Sequence, residues 1–255
     1  MTAPATGLRV RHRARRHPAH PRAGLIPSLS IEVRPTPPPA PVGRARIAFP
    51  DPREADAEGF VAHGGDLEPA TVIAAYRRGI FPWPFDGHEL FWWSPDPRAV
   101  IPIDGLRVSR RLARTLRRGA CAVTINAAFE EVVAGCAARE ETWITPGIRG
   151  AYGRLHALGW AHSVEVWRDG ALAGGLYGLA LGGLFAAESM FHRVTDASKI
   201  AMVALVQHAR RVGVTLIDAQ VPSAHIMAMG AVTMPRAEYL ARLAEAVNRP
   251  VRFAG

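Results

Sequence analysis

The sequence predicts an α+β protein, and three observations support that. Segments of helical period flank a central run of strand-like segments. That run, "AHSVEVWRDGALAGGLYGLALGGLFAAESMF", contains two hairpin signals, "RDG" and "LGG". Hydrophobic residues make up 49% of the 255 positions, enough for a sizeable core.

Residues 1–45 hold eight arginines and a single acid, Glu32, so most of the net charge of +9 lies there. "RVRHRARRHPAHPRAG" and "PTPPPAPVG" are rich in Arg and Pro and short of apolar residues. Such a composition predicts a disordered basic tail, whose deletion to residue 40 is expected to leave stability nearly unchanged. Arg15 and Arg16 raise the idea of an export signal, but no sustained apolar stretch follows them.

Residues 46–97 are expected to form a small N-terminal α/β lobe. "GGDLEPATVIAAYRRGIFPW" reads as a loop and then a helix, with Asp66 as N-cap, Pro69 in the first turn and Gly79 at the end. "FPWPFDGHELFWWSPDP" contains Trp83, Trp92 and Trp93, and its prolines exclude a regular helix. It reads as a rigid aromatic loop.

The main domain is expected over residues 98–255. "SRRLARTLRR" is a helix with Arg110, Arg111, Arg114, Arg117 and Arg118 on one side, within about 120°, and Leu112 and Leu116 on the other. Five arginines with no acid among them repel one another, which a phosphate-binding face explains better than a plain solvated one. "CAVTINAAFEEVVAGCAARE" reads as strand, turn and helix, and "IRGAYGRLHALGW" as a helix ending near Gly159. After the hairpins come a helix in "DASKIAMVALVQHARRVG", a strand in "VTLIDAQV" and a terminal helix in "RAEYLARLAEAV".

Two cysteines, Cys121 and Cys136, match no metal or CxxC spacing, which suits a reducing compartment. No apolar run approaches the roughly 20 residues needed to span a bilayer. The Gly-rich turns match neither a P-loop nor a dinucleotide fingerprint.

The strand "VTLIDAQV" raises the chemical question. Strand side chains alternate faces, so Asp218 and Gln220 are expected to share one, with Ala219 on the other. Glu188 follows the apolar run "LGGLFAA". A paired-carboxylate hydrolase and a set of strand-end turn caps are both open readings of these residues. A metal site lacks the clustered histidines it would need.

The chain resembles the leucyl/phenylalanyl-tRNA–protein transferases. The matching stretches are "GGDL", "AYRRGIFPW", "WWSPDPRAV", "TWIT", "LHALG", "HSVEVWRDG", "ESMF", "ASK" and "IDAQV", in the family's order from about residue 47 to 245. The resemblance implies transfer of Leu or Phe, less well Met, from aminoacyl-tRNA to proteins whose N-terminus is Arg or Lys, marking them for degradation. It implies a small N-terminal lobe joined to a catalytic domain like the acyl-CoA N-acyltransferases (GNAT-like), with no cofactor and no metal. A cytoplasmic monomer without membrane attachment is expected. By motif match, the reaction-centre pair falls on Asp218 and Gln220, the acid of "ESMF" on Glu188, and substrate-contacting aromatics on Tyr76, Trp83, Trp143 and Tyr152. Pro146 stands where the family can carry Arg, and Ala219 where it commonly carries Cys.

The implied chemistry is aminolysis of an ester, in which positioning matters more than strong activation, because an α-amine of pKa roughly 7.7–8.0 is partly neutral at pH 7. Asp218 is expected to accept a hydrogen bond from the Gln220 carboxamide, turning the amide oxygen toward the amine. Replacing Asp218 is then expected to cost turnover rather than fold. The apolar pocket is expected from Leu176, Phe185, Met190 and Ile217. An acetyl-CoA acetyltransferase would need a Gly-rich pyrophosphate loop that the sequence lacks, and a noncatalytic RNA-binding module would leave Asp218, Gln220 and Glu188 unexplained.

Overall fold

The computed structural model describes residues 26–84 and 89–255. Part of the expected tail and the tip of the aromatic loop lie outside the described residues.

The first described segment departs from expectation. Ile31–Val33 forms β1, which pairs parallel with β6 (Ala122–Ile125) at the edge of the main sheet. Ile26, Leu29, Ile31 and Val33 pack against the core, and the Gln207 carboxamide bonds both Leu29 N (2.9 Å) and Pro27 O (2.8 Å). Further on, the Trp160 indole N–H donates to Ala40 O at 2.9 Å. Residues 26–45 are therefore no disordered tail. A few apolar side chains and backbone pairing to a distant strand hold them, despite a composition that argues for disorder.

The lobe contains β2 (Phe60–His63), α1 (Pro69–Tyr76), β3 (Phe81–Pro82) and β4 (Phe91–Trp93). The strands form their own sheet in the order β2-β4-β3, so the aromatic stretch is not wholly loop. The N-cap of α1 is Glu68 rather than Asp66. Proline is favoured at the first helical position, and Pro69 sets the start there, while the Asp66 carboxylate accepts from Glu68 N at 3.0 Å one step earlier.

The main sheet runs β1-β6-β7-β8-β9-β10-β5-β11. Its further members are β5 (Arg98–Ile101), β7 (Ala161–Arg168), β8 (Ala171–Leu181), β9 (Leu184–His192), β10 (Leu216–Gln220) and β11 (Val232–Met234). Two tight turns join β7, β8 and β9. Asp169 and Gly170 both take positive φ (52° and 77°), as a two-residue type I′ turn requires.

Helices cover both faces, giving the α+β class with a small N-terminal lobe. On one side α3 (Phe129–Ala137), α4 (Pro146–Ala157) and α7 (Arg236–Ala246) share a core with the lobe. On the other, α2 (Arg110–Arg118) and α5 (Ala197–Val212) pack on alternate sheet residues such as Val164, Leu176 and Ile217. α6 (Ala224–Ala228) follows β10. Helix α5 crosses between β9 and β10, which pair parallel, as a connection between parallel neighbours must.

Deleting residues 1–40 should lower the melting temperature by about 8 °C or more, taking roughly 1 kcal/mol for each of several half-buried side chains and about 2–4 °C per kcal/mol at this size. An unchanged thermal melt would show that the β1 contacts contribute nothing.

Candidate active site

The parallel ladder between β9 and β10 ends at Asp218 opposite Ala186. Beyond that pair the strands part, and a cavity of about 510 Å³ lies over their ends. Two irregularities aim side chains at it. On β9, Ala187 pairs with Gly178 and Ser189 with Tyr177, so Glu188 is the extra residue of a bulge. Only glycine fits opposite, because a Cβ on Gly178 would come within 2.3 Å of Ala186 O. On β10, Asp218 pairs with Val100 and Gln220 with Ala99, so Ala219 is the extra residue there. Gln220 takes φ of +58°, a left-handed conformation that costs about 1–2 kcal/mol. Bulges beside active sites commonly redirect a side chain in this way.

The bulge breaks the alternation expected between Asp218 and Gln220. Ala219 and Gln220 both line the cavity; Asp218 is fully buried and does not line it. Asp218 instead meets Arg98 in a bidentate pair, Nε to Oδ1 at 2.8 Å and Nη2 to Oδ2 at 2.6 Å. The Tyr239 hydroxyl donates to Oδ2 at 2.8 Å, and the Gln220 backbone N–H to Oδ1 at 2.9 Å. The guanidinium also donates to Gly79 O at 3.1 Å and lies over the rings of Phe81 and Tyr239. Burial pulls the Arg98 pKa down, but Asp218, with Tyr239 and Tyr76, together outweighs it and the net shift is upward.

The expected bond from the Gln220 carboxamide to Asp218 is therefore absent. Gln220 Nε2 donates to Glu188 Oε1 at 3.1 Å instead. That oxygen also accepts from the Tyr76 hydroxyl at 2.7 Å, and Tyr76 in turn bonds Tyr152 at 2.6 Å. Glu188 Oε2 is buried with no hydrogen-bond partner among the described residues. Burial pushes the Glu188 carboxyl up to about 7, against the hydrogen bonds from Tyr76 and Gln220 and the nearby Tyr152 hydroxyl, which favour the carboxylate.

The other expected residues divide. Trp83, Trp143, Leu176 and Met190 line the cavity with Glu188. The two indoles lie 6.2 Å apart between ring centroids. Tyr76 and Tyr152 stand behind Glu188, buried, and do not line the cavity. Phe185 and Ile217 belong to the core packed on α5. Each stops two residues short of the lining, before Ala187 and Ala219, in the still-paired part of the ladder where Ile217 sits opposite Phe185.

The sequence reading missed Met202, Ser198, His192, His225, Ile226 and Arg139 on the cavity wall, and Arg98 beneath it. A lone arginine in the apolar strand "RAVI" was the one available signal for Arg98. Among the described residues, no group of three or more His, Cys, Asp or Glu is placed to hold a metal ion. None of their helices is long and apolar enough to cross a membrane.

The five arginines of α2 are all exposed, with Leu112 and Leu116 buried beneath them. Arg111, Arg114 and Arg118 line a second cavity of about 420 Å³ together with Arg168. The loop from β9 to α5 is its shared wall with the first: His192 and Ser198 face one side, Val194, Thr195 and Asp196 the other.

A polar pair set at the floor of an apolar, Trp-flanked cavity beside a basic groove suits a transferase, and comparison with known proteins agrees. The model of the leucyl/phenylalanyl-tRNA protein transferases matches residues 100–244, and that of their N-terminal domain matches residues 65–96. The protein of that name from Aromatoleum aromaticum is 52% identical over 209 residues, covering 80% of this chain and 88% of its own. The one from Stutzerimonas stutzeri is 49% identical over 213 residues, covering 81% and 94%. The chain belongs to the leucyl/phenylalanyl-tRNA–protein transferase family and is an aminoacyltransferase. Among solved structures, a ribosomal-protein-alanine N-acetyltransferase from Brucella melitensis matches at a TM-score of 0.32 and 15% identity, over 41% of this chain and 82% of that one, too distant a likeness to carry weight.

Asp218→Ala should destabilise the fold by about 3–5 kcal/mol, because it leaves the buried Arg98 guanidinium uncompensated. Urea denaturation reads this directly. A variant as stable as wild type would return Asp218 to the purely chemical role expected from the sequence.

Proposed function

We propose that this protein transfers Leu or Phe, and Met less well, from aminoacyl-tRNA to the α-amine of proteins beginning with Arg or Lys, so marking them for degradation. The observation that carries the reading is the hydrogen bond from Gln220 Nε2 to Glu188 Oε1 at the cavity floor. An ionised Glu188 only accepts, so it fixes the amide with its oxygen free. That oxygen accepts from the incoming amine and directs its lone pair at the ester carbonyl. As the C–N bond forms and the ester C–O bond breaks, one amine proton passes to the departing 3′ ribose oxygen. Glu188, with its carboxyl near 7, is suited to hold that proton in transit.

Leu176, Met190, Met202 and Ile226 supply an apolar wall for the transferred side chain. Trp83 and Trp143 offer faces for the terminal adenine, since base–aromatic stacking tolerates any base. The carboxylate of Glu188 complements the cationic first residue of the acceptor. The groove beside α2 carries the RNA backbone, adjacent to the cavity through the β9–α5 wall. Asp218 acts here as a positioning residue, through the Gln220 backbone. The reading places a monomer in the cytoplasm, where the free thiols of Cys121 and Cys136 stay reduced.

Incubation with Phe-tRNA and a peptide beginning with Arg should give the peptide extended by Phe in mass spectrometry, while a peptide beginning with Glu stays unchanged. No product from Phe-tRNA, alongside acetylation from acetyl-CoA, would refute the assignment. A Glu carboxyl raised to about 7 is protonated below that pH, so kcat/KM should fall as pH drops through about 7. Glu188→Gln should lower kcat/KM by about 100-fold and remove that limb, leaving only the titration of the acceptor amine; an unaltered profile would exclude Glu188 from proton handling. Changing Arg114 and Arg117 to Gln should raise the KM for aminoacyl-tRNA, leave the Leu-to-Phe preference alone, and flatten the salt slope by about 0.7–0.9 per lost contact. A full salt slope in that double variant would move the RNA path elsewhere.

A further inference from the structure

Helix α5 begins at the cavity over the reaction centre. Strands β9 and β10 run parallel, so their C-terminal ends both open onto that cavity, and α5 follows directly from the end of β9. Ser198 and Met202, one turn apart, put one face of the first two turns on the cavity wall. The helix has no side-chain cap. Ala197 N donates to Val194 O, and the first intrahelical bond runs from Ile200 N to Asp196 O. The N–H groups of Ser198 and Lys199 have no partner among the described residues. Orphan donors at the positive end of a helix dipole favour an anion.

A second sign is independent of the helix terminus. Ser198 is 3% exposed, and its hydroxyl has no hydrogen-bond partner among the described residues. The unpartnered side-chain oxygens that are sealed off belong to Thr71, Ser94, Tyr177 and Glu188; the Ser198 hydroxyl is not one of them and opens onto the cavity that Ser198 lines. Hydroxyls this buried are nearly always satisfied, so an open, unpaired one on a cavity wall marks a place for a ligand oxygen. His192 and His225 stand on the same wall, and their exposed imidazoles form no hydrogen bond among the described residues. Burial, then the charges of Lys199 and His192, hold the His225 imidazole below its ordinary pKa, and both of those charges are positive. Asp196, the acid at the helix start, is engaged by Arg111 at 3.6 Å and Lys199 at 3.4 Å and lines the neighbouring basic cavity instead.

We propose that the start of α5 holds the phosphate joining the terminal adenosine of the aminoacyl-tRNA to the nucleotide before it. The phosphate oxygens accept from the N–H groups of Ser198 and Lys199, from the Ser198 hydroxyl and from the imidazoles of His192 and His225. This subsite rests on the transfer reading and extends it. The reacting ester hangs from the 3′ carbon of one ribose and this phosphate from its 5′ carbon, so a cavity that takes the first must place the second close by. The RNA backbone also has to cross the β9–α5 wall to pass from the α2 groove into the cavity, and α5 starts on that wall. Such a contact fixes register without reading a base.

The test compares two unreactive analogues, 3′-phenylalanylamino-3′-deoxyadenosine and its 5′-phosphate, by calorimetric titration of the full chain. Wild type should bind the 5′-phosphate about tenfold or more tightly than the parent compound, as charge-assisted hydrogen bonds require. Ser198→Ala, and separately His225→Gln, should each remove most of that preference. His225 is exposed, which keeps the test valid should Ser198→Ala fail to fold. Equal binding of the two analogues by wild type would overturn the proposal. So would a preference that survives both variants and disappears in Arg139→Gln, because Arg139 is the other cation on the cavity wall and would then be the phosphate partner. Binding of neither analogue would refute the transfer reading itself, and the subsite with it.

Discussion

The buried pair of Arg98 and Asp218 is the contact on which the rest of this structure depends. Its two charges are almost wholly removed from water, at 1% and 0% exposure, a costly placement unless every polar atom finds a partner. They find them in each other and in three further groups, Gly79 O, the Tyr239 hydroxyl and the Gln220 backbone N–H. The pair ties β5 to β10, reaches the turn after α1 through Gly79 O, engages α7 through Tyr239, and lies against the β3 ring of Phe81. It therefore fastens the N-terminal lobe to the main sheet. It also accepts the Gln220 backbone N–H, and so holds that residue in its left-handed conformation.

From that anchor the geometry of the proposed reaction centre follows. Two bulges, at Glu188 and Ala219, face each other across the point where two parallel strands part. One delivers a carboxylate and the other a carboxamide, and the two meet at 3.1 Å. Tyr76 and Tyr152 support the carboxylate from behind, from α1 and α4, and this couples the lobe to the chemistry a second time. The aromatic and apolar walls need only ordinary packing, whereas the polar pair needs the bulges and the ion pair beneath it. Division of labour between a buried structural carboxylate and a cavity carboxylate explains why the chain keeps two acids so close together.

Much of this was legible in the sequence and some was not, for physical reasons. Helix α5, the two hairpins and the arginine face of α2 all declare themselves through local periodicity and turn chemistry, which depend on near neighbours. The identity of the polar residues was legible too. Their partners were not, because period-two alternation holds only in an unbroken ladder, and each key strand carries an extra residue at the site. That error made Asp218 a neighbour of the Gln220 amide and turned Ala219 away from the cavity. The edge strand β1 was hidden for another reason: its pairing partner lies some 90 residues away, while arginines and prolines dominate its surroundings. Phe185 and Ile217 were misplaced because a strand pattern tells which face a residue takes but not how far along the strand a cavity lies.

The central claim is that Glu188 and Gln220 act as one unit while Asp218 serves the scaffold. Carboxyl carbon-13 titration of glutamate-labelled protein, with the Gln220 side-chain amide followed by nitrogen-15, tests this most directly. The account predicts one glutamate titrating near 7, lost in Glu188→Gln, with the Gln220 amide shifting at the same midpoint. A Glu188 signal titrating in the ordinary carboxylate range, or a Gln220 amide indifferent to it, would contradict the account.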